Sequence, residues 1–288
     1  MNRSKIPWLV NADGTPGYTW SPTSGCSPAS AGCANCWAKA YHVRYRGGDF
    51  GVKLHPEKLD EPLRLRKPST IGVCLMGDLL HDDVPAEFIL AVFGIMAAAE
   101  QHRFIVLTKR PKGLRSLFAG TGPASRLESC WEALRMEVEH HPLGDGGPMH
   151  TKWAADPDGP WPLPNVYLGT SVEDQPTADD RIAILLDTPA AHRWVSLEPQ
   201  IGAVSFDEEW MMGLDWIVQG CESGPRRRPF DIAWARSVRD DCAASGTAYY
   251  FKQAPGTQCK GDGWPSKDVV SHPILDGRTH LALPWVTP

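Results

Sequence analysis

The sequence has little that would suit a membrane or secreted protein. No apolar run approaches the ~20 residues of a transmembrane helix, and the longest, at residues 88–99, is shorter and has a helical period. No apolar segment follows the polar first residues, Met1 to Lys5, so we expect no signal peptide. These absences predict a cytoplasmic protein with no membrane partner.

An excess of positive charge is also absent. Lys and Arg number 29 against 34 Asp and Glu, and the net charge of −5 excludes a globally basic nucleic-acid-binding protein while allowing local basic patches. No Gly-x-Gly-x-x-Gly segment and no Walker loop follows a predicted strand. The sequence therefore does not support either of the two common loops that bind nucleotide phosphates. What the chain does have is apolar material: hydrophobic residues make up 42% of its 288 residues, enough for a substantial core.

Short apolar runs typical of buried strands alternate with helix-like runs. The strand-like runs lie at residues 71–76, 104–107, 166–168, 193–197, 216–218 and 248–251. This alternation predicts an α/β fold with a parallel sheet, and six strands favour a complete or partial (β/α) barrel over a Rossmann-like sheet. We expect a single barrel domain over residues 1–288, with an insertion at about 119–164 that is either a lid or a solvent-exposed excursion.

Polar loops follow the predicted strands. They lie at residues 77–78, 108–110, 170–174, 198–200, 219–223 and 252–253. In barrels the active site collects at the carboxyl ends of the strands, so these loops predict where a site would form.

Three of the eight cysteines are clustered. Cys26, Cys33 and Cys36 have the spacing C-x6-C-x2-C in a Gly-, Ser- and Pro-rich loop, directly before a helix-like run at 37–46. In a reducing compartment clustered thiols indicate metal or redox chemistry. Structural zinc usually takes four ligands, and His42 or a distant cysteine would have to complete this set. A [4Fe–4S] cluster held by three cysteines leaves one iron open for S-adenosylmethionine, and we favour it over zinc, with a disulfide as a third alternative.

Eight short motifs spread from near residue 18 to near residue 280 form a specific set. They are WSPTSGC at 20–26, GCANCWA at 32–38, MGDLLH at 76–81, LTKRP at 107–111, LGTSVED at 168–174, SLEP at 196–199, GCESG at 220–224 and LDGRT at 275–279. Together they resemble a phage-encoded radical-SAM-like family, the phage gene-product thirty-seven/sixty-eight family. Two departures from the wider radical-SAM pattern stand out: the first cysteine gap is longer than in C-x3-C-x2-C, and Asn35 replaces the frequent aromatic residue before the last cysteine.

The resemblance implies an enzyme on a radical-SAM-type barrel of α/β class. Its cofactors would be a [4Fe–4S] cluster on the three cysteines and S-adenosyl-L-methionine, with an external one-electron reductant as partner and a 5′-deoxyadenosyl radical as the reactive species. By strand position, the predicted cofactor-binding residues are Gly77, Asp78, Ser171, Glu173 and Glu198. Cys221 is a possible hydrogen donor or a buried packing residue, and we expect His81 to belong to a helix-start loop rather than to act as an acid or base.

The resemblance also suggests a nucleic-acid modification. The predicted reaction isomerises or rearranges a modified pyrimidine, an amino-acid-decorated thymine, in phage DNA, which would place the protein in the bacterial host cytoplasm. Alternatives are a lyase acting on damaged pyrimidines or free nucleotides, and a non-enzymatic zinc-containing nucleic-acid-binding protein. Phosphates would contact two basic clusters, and bases would stack on tryptophans of the insertion. These residues are Lys109, Arg110, Arg226, Arg227 and Arg228, with Trp131, Trp153 and Trp161.

Overall fold

Strands and helices alternate along most of the chain, as the apolar pattern predicts. The computed structural model describes residues 1–118, 123–140, 160–224, 226–256 and 269–286. Its helices are α1 (Trp37–Tyr45), α2 (Ala86–Ala98), α3 (Pro111–Phe118), α4 (Pro123–His140), α5 (Gln175–Asp187), α6 (Glu208–Gly213) and α7 (Ile232–Ser245). Its strands are β1 (Asn2–Arg3), β2 (Tyr18–Trp20), β3 (Thr23–Ser24), β4 (Lys53–Leu54), β5 (Thr70–Val73), β6 (Arg103–Thr108), β7 (Val166–Val172), β8 (His192–Leu197), β9 (Trp216–Gly220), β10 (Ala248–Pro255) and β11 (Val269–Ser271).

These elements give a mixed α/β fold with a large, mostly parallel sheet, which confirms the predicted class. The residues fall into two compact units. The first comprises Met1–Ser27, Phe50–Leu168 and Thr188–His192, and the second comprises Pro28–Asp49, Gly169–Asp187 and Arg193–Pro288. Both units consist of discontinuous segments, and the single-domain organisation stays a prediction.

In the first unit, β5 pairs in parallel with both β2 and β6, while β1 runs antiparallel to β2. The four residues of β5 are all buried, as expected for a parallel strand covered on both faces. A separate antiparallel ladder joins β3 to β4. The strand β2 was not predicted, because three residues are too few to show a period.

The helix α4 lies in the predicted insertion and packs on α2. At the crossing point, a Cβ on Gly94 would lie 2.8 Å from the carbonyl oxygen of Cys130, so only glycine allows this approach. Cys130 and Leu134 of α4 are buried. One face of α4 is therefore packed into the first unit, while Glu132 and Met136 of the same helix are exposed. The rest of the predicted insertion up to residue 159 lies outside the described residues.

In the second unit, β9 pairs in parallel with β8 and β10, and β11 closes this part antiparallel to β10. Trp194 and Trp216 stack at 4.9 Å between ring centroids. A Cβ on Gly169 would lie 2.3 Å from the indole nitrogen of Trp194, so the glycine in β7 makes room for this ring. The helix α7 begins where the Asp231 side chain accepts from the Ala233 amide and ends at Gly246, which has φ +79°.

Across the residues that the structure describes, no helix is both long enough and apolar enough to cross a membrane.

Candidate metal centre

Close backbone contacts position Cys26 in the first unit. Gly25 has φ +82°, and a Cβ there would lie 2.0 Å from the carbonyl oxygen of Gly51. Gly25 also forms a parallel bridge with Gly77, where a Cβ would lie 2.8 Å from the Gly25 carbonyl oxygen. The Cys26 amide donates to the Phe50 carbonyl at 2.9 Å. Glycines thus allow the chain before Cys26 to lie against the turn that follows β5.

An arginine faces the Cys26 sulfur. Arg110 Nη1 lies 3.5 Å from Cys26 Sγ, and Nη2 donates to the carbonyl and hydroxyl oxygens of Ser27 at 3.0 and 3.1 Å. Burial disfavours the charged guanidinium, but the nearby Asp78 and Cys26 outweigh it and raise the pKa of Arg110. A fixed positive charge beside a sulfur favours the thiolate, which is the form that binds metals.

Asp78, a predicted cofactor ligand, holds this arginine in place. Its Oδ1 accepts from the Leu80 amide at 3.0 Å and the Thr108 hydroxyl at 2.7 Å. Its Oδ2 accepts from the Lys109 amide at 3.0 Å and Arg110 Nη1 at 3.3 Å. A carboxylate offers about four acceptor positions, and four donors already occupy those of Asp78. In this structure the side chain therefore organises the loop after β6.

His81 was expected to belong to a helix-start loop, yet it contacts the residue next to Cys26. Its Nδ1 lies 3.1 Å from the Asp83 amide, and its Nε2 lies 2.6 Å from Ser27 Oγ. The Ser27 amide also lies within hydrogen-bond distance of the same Nε2, at 3.3 Å. The ring is buried, and it fixes the Ser27 hydroxyl beside Cys26.

The other two predicted ligands belong to a loop of the second unit, residues 28–36, which we term the cysteine loop. Cys33 ends a 3-10 turn, Ala31–Cys33, and Cys36 directly precedes α1. The Ala29 amide donates to Cys33 Sγ at 3.4 Å, and Ser30 Oγ lies 4.0 Å from the same sulfur. Hydrogen bonds of this kind orient a sulfur ligand and stabilise negative charge on it.

A buried ion pair braces one side of the cysteine loop. Glu173, at the end of β7, is fully buried and lies 3.1 Å from Arg181 Nη1 of α5. Its Oε1 accepts from Ser30 Oγ at 2.9 Å. A Cβ on Gly32 would lie 2.4 Å from Glu173 Cγ, so glycine is required where the loop contacts this side chain. Glu173, another predicted cofactor ligand, thus ties the loop to β7.

A second carboxylate–arginine pair also contacts the cysteine loop and stabilises it. Glu222 accepts from Arg228 Nη2 at 2.5 Å and from Asn35 Nδ2 at 3.0 Å. Arg228 Nη1 in turn donates to the Ala31 carbonyl at 2.8 Å. Burial opposes ionisation of Glu222, but the hydrogen bonds from Arg228 and Asn35 outweigh it, so its pKa is lowered. Asn35, where an aromatic residue was noted as more usual, therefore anchors the loop.

The remaining predicted residues lie in the second unit: Ser171 within β7, Glu198 directly after β8 and Cys221 directly after β9. Ser171 Oγ donates to the Glu198 carbonyl at 3.1 Å, and Lys252 Nζ lies 2.5 Å from Glu198 Oε1. The Cys221 side chain is fully buried, and its carbonyl accepts from Gln253 Nε2 at 2.6 Å. A buried thiol fits the packing alternative; the hydrogen-donor role stays a prediction.

The predicted phosphate-binding residues differ in their surroundings. Arg110 and Arg228 pair with the carboxylates of Asp78 and Glu222. Arg227 Nη1 donates to the Gly224 carbonyl at 3.3 Å, while Arg226 is exposed.

The predicted base-stacking tryptophans are only partly described. Trp161 packs its ring 4.8 Å from that of Phe118, in the first unit. The Trp131 side chain and Trp153 lie outside the described residues.

The described cysteines fall into two groups by exposure. Cys26, Cys33 and Cys36 are partly exposed. The other four are buried, and burial raises the pKa of Cys74 to about 11 and that of Cys130 and Cys242 to about 12. The clustered thiols are thus the accessible ones, while the described cysteines elsewhere behave as small apolar side chains.

The donor set agrees with an iron–sulfur cluster in its chemistry. It consists of accessible thiols that receive N–H hydrogen bonds from Arg110 and the Ala29 amide, and soft thiolates suit iron–sulfur clusters as well as zinc. Within the described ranges, no group of three or more His, Cys, Asp or Glu side chains is arranged to hold a metal ion. The three cysteines fit the cluster by residue type and accessibility, and the described residues do not show them assembled around one.

The two groups of thiols predict a labelling pattern. In metal-free, reduced protein at pH 8, iodoacetamide is expected to modify Cys26, Cys33 and Cys36 within minutes. Cys74 and Cys242 are expected to stay unmodified, because their burial and raised pKa keep them protonated and inaccessible. Peptide mass spectrometry over a time course measures each site, and equal rates for Cys33 and Cys242 would contradict the assignment.

The chain matches one known protein family over nearly its whole length. Residues 3–284 match the family described as "Protein of unknown function (DUF5131)", and the chain belongs to that family. No curated protein matches.

Among solved structures, the chain is similar to spore photoproduct lyase complexed with dinucleoside spore photoproduct, at 10% identity over 84% of this chain and 65% of that chain, with a TM-score of 0.38. It is also similar to a double mutant of that lyase with bound AdoMet and dinucleoside spore photoproduct, at 11% identity over 85% of this chain and 66% of that chain, with a TM-score of 0.39. The matched region is thus about two thirds of the length of these lyases.

Proposed function

We propose that the protein is a radical S-adenosylmethionine enzyme in which Cys26, Cys33 and Cys36 hold a [4Fe–4S] cluster. The observation that carries the proposal is the braced cysteine loop, where the buried pair Glu173–Arg181 and the partly exposed pair Glu222–Arg228 hold a short segment that contains Cys33 and Cys36. Buried ion pairs are costly to form, and holding a ligand loop is a use that justifies them. When bound, a reduced cluster supplies the electron that cleaves S-adenosylmethionine to methionine and a 5′-deoxyadenosyl radical.

The chain's own residues would hold and tune the ligands. Arg110 would donate to the Cys26 sulfur, and Asp78 and Ser27 keep the guanidinium in that position. The Ala29 amide would donate to the Cys33 sulfur. Hydrogen bonds to ligand sulfurs spread negative charge and are one means by which a protein sets a cluster's reduction potential.

We further propose that the mostly parallel sheet is a partial barrel of radical-SAM type, with S-adenosylmethionine at the carboxyl ends of its strands. The predicted cofactor contacts remain Gly77, Asp78, Ser171, Glu173 and Glu198. Because Asp78 and Glu173 already accept hydrogen bonds from protein donors, we assign them a positioning role, in which they fix Arg110 and the cysteine loop. The loops that they organise would then contact the cofactor.

The proposed substrate is a modified pyrimidine in phage DNA, an amino-acid-decorated thymine that the enzyme isomerises or rearranges. The motifs shared with the phage-encoded family support this. Arg226 and Lys109 would contact substrate phosphates, and the electron would come from an external reductant.

The test is anaerobic reconstitution with iron and sulfide, followed by dithionite, S-adenosylmethionine and detection of 5′-deoxyadenosine. We expect a brown protein with about four irons per chain, as a [4Fe–4S] cluster requires, and formation of 5′-deoxyadenosine. A colourless protein that retains zinc and forms no 5′-deoxyadenosine would overturn the proposal and leave the zinc-containing nucleic-acid-binding protein as the alternative.

A further inference from the structure

The helix α1, which begins directly after Cys36, exposes a row of aromatic side chains. Trp37, Tyr41 and Tyr45 are 52%, 46% and 63% exposed. They are four residues apart, so they lie on one face of the helix. The rings of Tyr41 and Tyr45 are in contact, at 4.8 Å between centroids. A soluble protein rarely leaves three neighbouring large rings in solvent, which indicates a surface that binds something.

The sequence segment that carries this row has charge of one sign. Residues 28–48 contain no Asp or Glu, although the whole chain has a net charge of −5. They contain three cations, Lys39, Arg44 and Arg46. The guanidinium carbon of Arg44 lies 5.3 Å from the centroid of the Tyr45 ring, a cation–π contact that leaves a positive charge beside the ring. The surface therefore suits a polyanion that carries flat apolar groups.

We propose that this face of α1 binds single-stranded nucleic acid, with bases stacked on Trp37, Tyr41 and Tyr45 and phosphates near Lys39, Arg44 and Arg46. Successive aromatic rings in a basic setting are the usual means of binding unpaired bases without sequence preference. A duplex would hide the faces of its bases from these rings. A membrane-binding helix would carry an apolar face of Trp, Phe and Leu side chains, whereas α1 has no Phe or Leu and Val43 is its one large aliphatic residue.

The inference deepens the proposed function, on which its biological role rests: this face would hold the nucleotides that flank the reacting base. A base that leaves its helix to be modified costs least when the strand is already single. Binding itself, however, needs neither a cluster nor S-adenosylmethionine, and it is measured separately from catalysis.

The experiment measures fluorescence anisotropy of a labelled oligothymidylate at low salt, for wild type, a Trp37→Ala/Tyr41→Ala variant and Met212→Ala. Met212 is 75% exposed on α6 in the same unit and serves as the matched control. We expect binding at least about tenfold weaker for the double variant, since two stacked bases together contribute at least that much. Met212→Ala and Tyr41→Phe are expected to bind like wild type, and Lys39→Gln to reduce the slope of log affinity against log salt by about one.

Circular dichroism and iron content of the same variants separate this inference from the proposed function. Both are expected to match wild type, because the replaced side chains are exposed. Failure of the cluster with intact α1-dependent binding would overturn the proposed function alone. Equal oligonucleotide binding by wild type and the double variant would overturn the inference. It would also be overturned if the double variant lost self-association or binding to lipid vesicles but kept its oligonucleotide binding.

Discussion

Replacing Cys33 by alanine is expected to remove the bound iron and abolish 5′-deoxyadenosine formation. Cys33 is partly exposed, lies in the braced loop and accepts a hydrogen bond from the Ala29 amide, as a ligand sulfur would. Only three clustered cysteines are present, so the loss of one leaves a cluster without sufficient ligands. Iron and sulfide per chain and the visible absorption of reconstituted protein measure the effect, and the same loss is expected for Cys26→Ala and Cys36→Ala.

The matched control for this variant is Cys242→Ala. Cys242 is buried in α7, and its replacement removes a packed sulfur at a cost of about 1 kcal/mol, typical of a point mutation. Its iron content is expected to equal that of wild type. A Cys33→Ala protein that retained a complete cluster would show that the ligand assignment is wrong.

The fold class was predictable because parallel strands covered on both faces have a simple sequence pattern. All seven residues of β7 and all five of β9 are buried, and each strand is correspondingly a short apolar run. The packing of α4 on α2 was not predicted, because the Gly-, Pro- and Asp-rich segments on either side of this helix suggested an insertion that is a lid or a solvent-exposed excursion. Its place on α2 depends on Gly94, and a close approach at a glycine leaves no local signal in the sequence.

The candidate site was predictable in its cysteines and less so in its carboxylates. The spacing of the cysteines is local, whereas the partners of Glu173 and Glu222 are distant in sequence. Ser30 and Glu173 are 143 residues apart, and Ala31 and Arg228 are 197 residues apart. A polar residue after a strand indicates a site, but a single sequence does not show whether it contacts a ligand or holds the ligand's loop. The motifs that suggested cofactor contacts therefore also contain the residues that brace the loop.

Replacing Arg181 by methionine is expected to give the largest loss of stability among the changes considered. The side chains of Arg181 and Glu173 are 5% and 0% exposed, and removing the guanidinium leaves a carboxylate buried without its cationic partner. Breaking a buried pair in this way costs about 3–5 kcal/mol. Urea unfolding followed by circular dichroism measures the loss. Reconstituted iron is also expected to fall, because Glu173 would no longer hold Ser30 in place.

Two further variants show whether the loss arises from the buried charge. Arg236→Met removes an arginine whose pair with Asp276 is exposed, and it is expected to change the free energy of unfolding very little. The Arg181→Met/Glu173→Gln double variant is expected to be more stable than Arg181→Met alone, because a neutral amide is cheaper to bury and its oxygen still accepts from Ser30. If Arg181→Met unfolded like Arg236→Met, or if the double variant were no more stable than the single one, the pair would not be what fixes the cysteine loop.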